Sequence, residues 1–199
     1  MKFSVANSLW LSVFICILFS CKQEKGKFIS LPASHTHIIF NNAIPETDSI
    51  NILSFPNVYN GGGVGVGDFN NDGLQDLYFT GNMVANKLYL NKGNMQFEDV
   101  TSTAHVDGGG IWSRGVAVID INNDGKLDLY VCATAKAKPQ DRINLLYINQ
   151  GNDKNGVPVF KNMAAEYGLA DTTQSTMVYF FDYDNDGDLD LFIGVNHII

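Results

Sequence analysis

A nine-residue pattern, Asp-x-Asn/Asp-x-Asp-Gly-x-x-Asp, occurs three times in the chain, each time between two short apolar runs. The copies are Asp68–Asp76, Asp120–Asp128 and Asp182–Asp190. A tight loop that returns the chain between two strand-like runs makes a hairpin. Its repetition predicts one supersecondary unit stacked several times. Oxygen-bearing side chains recur at positions 1, 3, 5 and 9, and a glycine recurs at position 6 (Gly73, Gly125 and Gly187). Glycine there permits the positive φ that a sharp reversal needs. Such a loop is suited to wrapping a hard cation, of which calcium, with six to eight oxygen ligands in flexible geometry, fits best.

The candidate ligands in the first copy are Asp68, Asn70, Asp72, the main-chain carbonyl of Leu74, and Asp76. In the second they are Asp120, Asn122, Asp124, the carbonyl of Lys126, and Asp128. In the third they are Asp182, Asp184, Asp186, the carbonyl of Asp188, and Asp190. Leu, Lys and Asp at position 7 suit a carbonyl donor, because its side chain is then free to vary. About three structural Ca2+ ions are expected, with a complete ligand set and no open position for a catalytic water. An EF-hand would need Glu at position 12 followed by a helix. Position 12 is Phe79, Val131 or Ile193, each inside an apolar run. A single Asx-turn hairpin could explain one copy, but not the same aspartates at 1, 5 and 9 in three.

Aligning the loops aligns their flanks. Gly63–Gly67, Gly115–Ile119 and Met177–Phe181 precede them, dense runs suited to strands buried on both faces. Leu77–Thr80, Leu129–Cys132 and Leu191–Gly194 follow as second strands. The first two copies continue with alternating third strands, Lys87–Gly93 and Asn144–Gly151, each ending in an Asn-x-Gly turn, and with fourth strands at Phe97–Val100 and Phe160–Met163. Four antiparallel strands per repeat form a β-propeller blade. The fold class is all-β, a partial β-propeller with blades at about 57–104, 111–164 and an incomplete 175–199. The repeat spacing grows from 52 to 62 residues, mainly in Ala133–Arg142 and Asn152–Pro158, both loop-like. Ala164–Gly168 reads as a helical turn. Because the third unit lacks its last two strands, the chain is expected to be the N-terminal piece of a longer propeller.

Residues 1–20 read as a signal segment, with Lys2 ahead of the apolar run Leu9–Phe19. Leu18-Phe-Ser-Cys21 resembles a bacterial lipobox, so Cys21 is the expected lipidation site and residues 21–56 a tether and lead-in. Several acyl chains anchor stably where one is marginal. The expected location is therefore the cell envelope, as an outer-membrane or surface lipoprotein. Cys132 is then left as a small core residue with no disulfide.

The run Gly-Val-x-Val-x-Asp-x-Asn-x-Asp-Gly-x-x-Asp-Leu-Tyr, followed by Leu-Tyr-Leu-Asn-x-Gly and Phe-x-Asp-Val-Thr, resembles the FG-GAP/VCBS repeats of integrin-α-like propellers over residues 57–196. The lead-in Leu31–Asn42 with Tyr59–Gly63 is similar to Bacteroidetes-type surface lipoproteins that often carry a C-terminal ASPIC/UnbV domain. This resemblance implies a seven-bladed extracellular propeller with calcium loops, and no enzymatic activity.

Eleven of the 21 acidic residues lie inside the three loops, so most of the acidity belongs to the candidate metal sites. There is no basic stripe, so sequence-independent nucleic-acid binding has little electrostatic support and no nucleic-acid partner is expected. Gly61–Gly67 lacks G-x-G-x-x-G spacing and leads into an acidic loop rather than a helix, so it is no phosphate cradle. His35 and His37 read as part of an exposed edge strand, with metal chelation the alternative. Trp112 and Arg114 read as packing against the neighbouring blade, with ligand contact the alternative. Strand order places the acidic loops and the Asn-x-Gly turns on one face. The 2–3 loops (80–86 and 133–142) and the 4–1 connections (102–113 and 164–176) lie on the other, where a protein or glycan ligand is expected. The functional expectation is a calcium-stabilised adhesion or recognition module. The alternative is the propeller portion of a secreted enzyme acting on polysaccharide or lipid, with catalytic residues outside this chain.

Overall fold

A computed structural model describes residues 28–196. The leader and the lipidation candidate Cys21 lie outside the described residues, and no described helix is long and apolar enough to cross a membrane. The chain divides into two units, residues 1–31 and 32–199, and the blades belong to the second.

Among the described residues, ten strands form three antiparallel sheets in chain order. The first blade is β1 (Val64–Gly67), β2 (Asp76–Phe79), β3 (Lys87–Asn91) and β4 (Phe97–Asp99). The second is β5 (Trp112–Ile119), β6 (Asp128–Thr134), β7 (Leu145–Asn152) and β8 (Pro158–Asn162). A two-stranded third sheet pairs β9 (Ser175–Phe181) with β10 (Asp190–Val195). These are blades of a partial propeller, and every acidic loop joins strand one to strand two, as its flanks predict.

Period-2 alternation explains how one blade serves two cores. On β6, Leu129 and Val131 point toward the first blade, sharing a core with its Tyr78, Leu88 and Leu90 and with Phe160 of their own blade. Tyr130 and Cys132 point the other way, onto Val178 and Phe180 of the third sheet. Every residue of β6 is buried, which is the two-sided burial expected for the first strands. The first strands themselves differ from that expectation. Val64 and Val66 on β1 are more than half exposed, whereas Gly65 and Gly67 face the second blade. A Cβ on Gly65 would lie 2.8 Å from Val118, and one on Gly67 2.7 Å from Leu127. Absence of side chains on one face, not apolar bulk on both, is what lets neighbouring inner strands approach. The same device recurs at aligned positions in main-chain contacts. A Cβ on Gly63 would lie 2.8 Å from the Arg114 carbonyl, and one on Gly115 2.7 Å from the Thr176 carbonyl.

The lead-in is docked from Pro32 onward. Phe40 stacks on Phe79 with ring centroids 5.1 Å apart, and Asn42 donates to Asn82 Oδ1 at 2.6 Å. His35 and His37 do not form an edge strand. His35 lies in a one-turn helix, α1 (Ala33–Thr36), and His37 closes it at φ 60°. Pro32 supplies the carbonyl that starts the turn, and the His37 N–H returns to the Ala33 carbonyl, so the local bonds are helical. A second one-turn helix, α2 (Thr101–Ala104), follows β4. Residues 164–168 form the matching turn after β8: the Ala104 N–H donates to the Val100 carbonyl and the Tyr167 N–H to the Met163 carbonyl. The long Ala133–Arg142 segment is partly strand, since β6 runs to Thr134, and continues through a 3-10 turn at Pro139–Asp141.

Candidate functional site

Each acidic loop is folded by its own carboxylates. The position 1 side chain clasps two successive N–H groups: Asp68 accepts from Asp72 (3.0 Å) and Gly73 (2.8 Å). Asp120 does the same with Asp124 (3.0 Å) and Gly125 (2.8 Å), and Asp182 with Asp186 (3.2 Å) and Gly187 (3.1 Å). The position 5 carboxylate accepts the N–H of position 7, as in Asp72 to Leu74, Asp124 to Lys126 and Asp186 to Asp188. Gly73, Gly125 and Gly187 have φ of 86°, 79° and 95° with open space where a Cβ would stand. A further residue shares the reversal: Asn71, Asn123 and Asn185 at position 4 lie at φ 57°, 56° and 61°. Asn tolerates the left-handed region better than other non-glycine residues. Its threefold recurrence was visible in the sequence, although the glycine alone drew attention there.

The position 9 aspartates are the most enclosed. Asp76 and Asp128 are fully buried, and Asp190 is half-buried. One oxygen of each accepts the N–H of position 2: Phe69 to Asp76 (2.9 Å), Ile121 to Asp128 (3.1 Å) and Tyr183 to Asp190 (2.8 Å). The second oxygen reaches the Asn-x-Gly turn, accepting from Asn91 N–H at 2.8 Å and Asn149 N–H at 2.7 Å. The turn asparagines then brace the loops with their amides. Asn91 donates to the Gln75 carbonyl, and Asn149 donates to the Leu127 carbonyl and across to the Phe69 carbonyl of the first blade. Asn91 and Asn149 are therefore part of the site, although their spacing marked them only as turn residues. The loops are also tied to one another, because Asn71 donates to the Gly125 carbonyl and Asn152 to the Asn70 carbonyl. The acidic loops and Asn-x-Gly turns occupy one face, as the strand order requires.

Burial pushes the Asp76 carboxyl up to about 6, against the N–H bonds from Asn91 and Phe69, with the Asp72 and Asp68 charges adding to the rise. Burial likewise raises Asp128. Asp188 is raised by the adjacent Asp186 charge. Asp124 is lowered because Lys126 Nζ bonds its Oδ2 at 2.7 Å. Burial thus dominates at position 9, and the crowding of negative charge that a cation would relieve is plainest at Asp188 in the third loop.

The donor set fits such a cation. In the third copy, carboxylate oxygens of Asp182, Asp184 and Asp190 lie within 4.8 Å of one another, spanning positions 1, 3 and 9. Asp186 stands outside that group and is turned to the Asp188 N–H. In the first two copies position 3 is Asn70 or Asn122, whose Nδ2 bonds the position 5 carboxylate at 3.0 and 3.2 Å. Hard oxygen donors, no sulfur or imidazole, and a glycine-relieved turn together suit calcium rather than a transition metal. Trp112 and Arg114 are packed, but their side chains meet the lead-in and not the neighbouring blade. Trp112 meets Phe55 edge-on at 5.6 Å, and Arg114 Nη2 donates to the Asn57 carbonyl at 2.8 Å.

Comparison with known families gives the repeat its class. Residues 68–131, from the first acidic loop into β6, match the FG-GAP-like repeat family. The chain carries an FG-GAP-like repeat. It also resembles proteins named cartilage acidic protein 1. The Xenopus tropicalis protein is 30% identical over 137 residues, which is 68% of this chain and 20% of that protein. The human protein is 29% identical over 135 residues, covering 67% and 19%, and the mouse protein 38% over 69 residues, covering 35% and 11%. The chain thus spans about a fifth or less of the length of these relatives.

Proposed function

We propose that this chain is a calcium-stabilised, non-enzymatic recognition module of the cell envelope. One face of its propeller blades is held together by metal, and the other meets a protein or glycan. The observation that carries this reading is the threefold loop in which carboxylates 1 and 9 organise the backbone, with those at positions 1, 3 and 9 of the third copy converging within 4.8 Å. Asp68, Asn70, Asp72 and Asp76, with the Leu74 carbonyl, would hold one ion. Asp120, Asn122, Asp124 and Asp128, with the Lys126 carbonyl, would hold a second. Asp182, Asp184, Asp186 and Asp190, with the Asp188 carbonyl, would hold a third. The ions supply charge neutralisation and cross-linking of loop to turn. Relatives named as acidic proteins of cartilage accord with an extracellular setting. The lipobox-like Cys21 would supply the membrane anchor.

Calcium should raise the melting temperature of the full chain, and EGTA should reverse it. Extracellular sites of this ligand type bind at roughly 10⁻⁴–10⁻³ M, so about 10 mM calcium adds about 1.4 kcal/mol for each site of Kd about 1 mM. A melting temperature indifferent to both additions contradicts the metal role. Exchanging the residues 135–141, which lie beyond the buried end of β6, for an unrelated loop should abolish ligand binding and leave the rise in melting temperature with calcium in place. Binding that survives the exchange contradicts the assignment of the face.

A further inference from the structure

The blades leave apolar side chains exposed on the two outward faces of the three-sheet array. Alternation puts Met177, Tyr179 and Phe181 on one face of β9, and Phe192 stands opposite Tyr179 across the ladder. All four are turned away from the second blade, onto which Val178 and Phe180 pack, and all four are about half exposed. At the other side of the array, Val64 and Val66 of β1 are 55% and 52% exposed, because Gly65 and Gly67 are the residues that face the second blade. Val64 pairs with Phe79, and Phe40 of the lead-in covers Phe79, so the lead-in shields the outer part of this face and leaves its inner strand bare. No large apolar side chain of β5–β8 is as exposed, since a sheet covers each face of the second blade.

Within the chain, each blade contact joins unlike faces. The first blade turns Gly65 and Gly67 toward Val118 of the second, and the second turns Ala117 toward Val178 and Phe180 of the third. Val64 and Val66 hold the repeat positions of Val116 and Val118, the side chains that enter the first of these contacts. Tyr179 and Phe181 hold the positions of Gly65 and Gly67, the residues that receive them. The two exposed faces are therefore the entering and receiving halves of one more contact of the same kind. Aromatic bulk on the receiving side precludes the close approach that glycine allows. It suits ordinary face-to-face sheet packing, at a spacing of about 10 Å, with the valines set against the rings.

Complementary halves on one molecule select a second copy as the partner. A patch that fits a different patch of the same chain makes a head-to-tail contact, which propagates unless its rotation closes a ring. Apolar patches on a protein surface mark such association sites. Contact between two third sheets would join like faces instead, a pairing that neither blade contact uses.

We propose that the chain associates head to tail, the Val64 and Val66 face of one copy seated on the Tyr179 and Phe181 face of the next. The proposal is independent of the metal role and of the recognition face. In sedimentation velocity the mass of the full chain should rise with concentration. Val66→Asp and Tyr179→Asp each place a carboxylate in the contact and should weaken association at least about tenfold. Both positions are half exposed, so both variants should keep the parent melting temperature. Each variant retains one intact face. An equimolar mixture of the two should therefore form 1:1 dimers and nothing larger, although neither variant dimerises alone at that concentration. Oxidative cross-linking gives a second reading that association through the apolar leader cannot imitate. Chains carrying Cys16→Ser and Cys21→Ser, with Cys132 buried, receive either Val66→Cys or Tyr179→Cys. The two kinds of chain should cross-link to each other in preference to themselves. A mass independent of concentration, association unaltered by either aspartate, or a mixture that stays monomeric overturns the proposal. So does Tyr179→Cys pairing chiefly with itself, which would mean contact between like faces.

Discussion

On the acidic-loop face the first two blades repeat the same bonds residue for residue. Asp76 and Asp128 each take one N–H from their own loop and one from the Asn-x-Gly turn. On the opposite face only an inner brace repeats. Asn86 Nδ2 bonds the Tyr78 hydroxyl, which donates to the Val106 carbonyl, and Asn144 bonds Tyr130, which donates to the Leu169 carbonyl. Beyond that brace the two blades diverge. The first has a short 2–3 loop at 80–86, and the second has a long one carrying a 3-10 turn. Repetition marks the bonds every blade needs to close its loops. Divergence marks the surface on which blades are free to differ.

Asp128→Ala should break the comparison most severely. It strands two N–H groups, that of Asn149 buried and that of Ile121 half-buried, at about 2–3 kcal/mol together. Urea unfolding in EGTA should show that loss, and calcium should no longer recover it. Tyr130→Phe, on the opposite face, removes a hydroxyl that both donates to Leu169 and accepts from Asn144, and should cost about 1–2 kcal/mol. That loss should be the same with and without calcium, because the brace is remote from the loops. Lys126→Ala should have the smallest effect. It removes the ammonium that pairs with Asp124 at 2.7 Å, so the second loop should bind calcium a few-fold more tightly by calorimetry.

Much of this was legible in the sequence, because the loop residues act locally. Asp at 1 and 5 bonds N–H groups within five positions, so short spacing alone carries the information. The strands followed from apolar runs beside the loops. What was not legible depends on distant partners. The glycines of β1 read as part of a dense buried strand, but their function is set by Val118 and Leu127, some fifty residues later. His35 and His37 looked extended because one helical turn has too few residues to show a period. The role of Asn91 and Asn149 needed the third strand placed beside the loop. The contact of Phe55 with Trp112 could not be foreseen, since the two rings are brought together only when the lead-in docks.

Hydrogen exchange of the full chain, with and without calcium, tests the central claim most directly. The account predicts slower exchange with calcium in 68–76, 120–128 and 182–190 and in the turns at 91–93 and 149–151, with residues 80–86 and 133–142 unchanged. Calcium-induced protection confined to the opposite face, or absent from all three acidic loops, would contradict it.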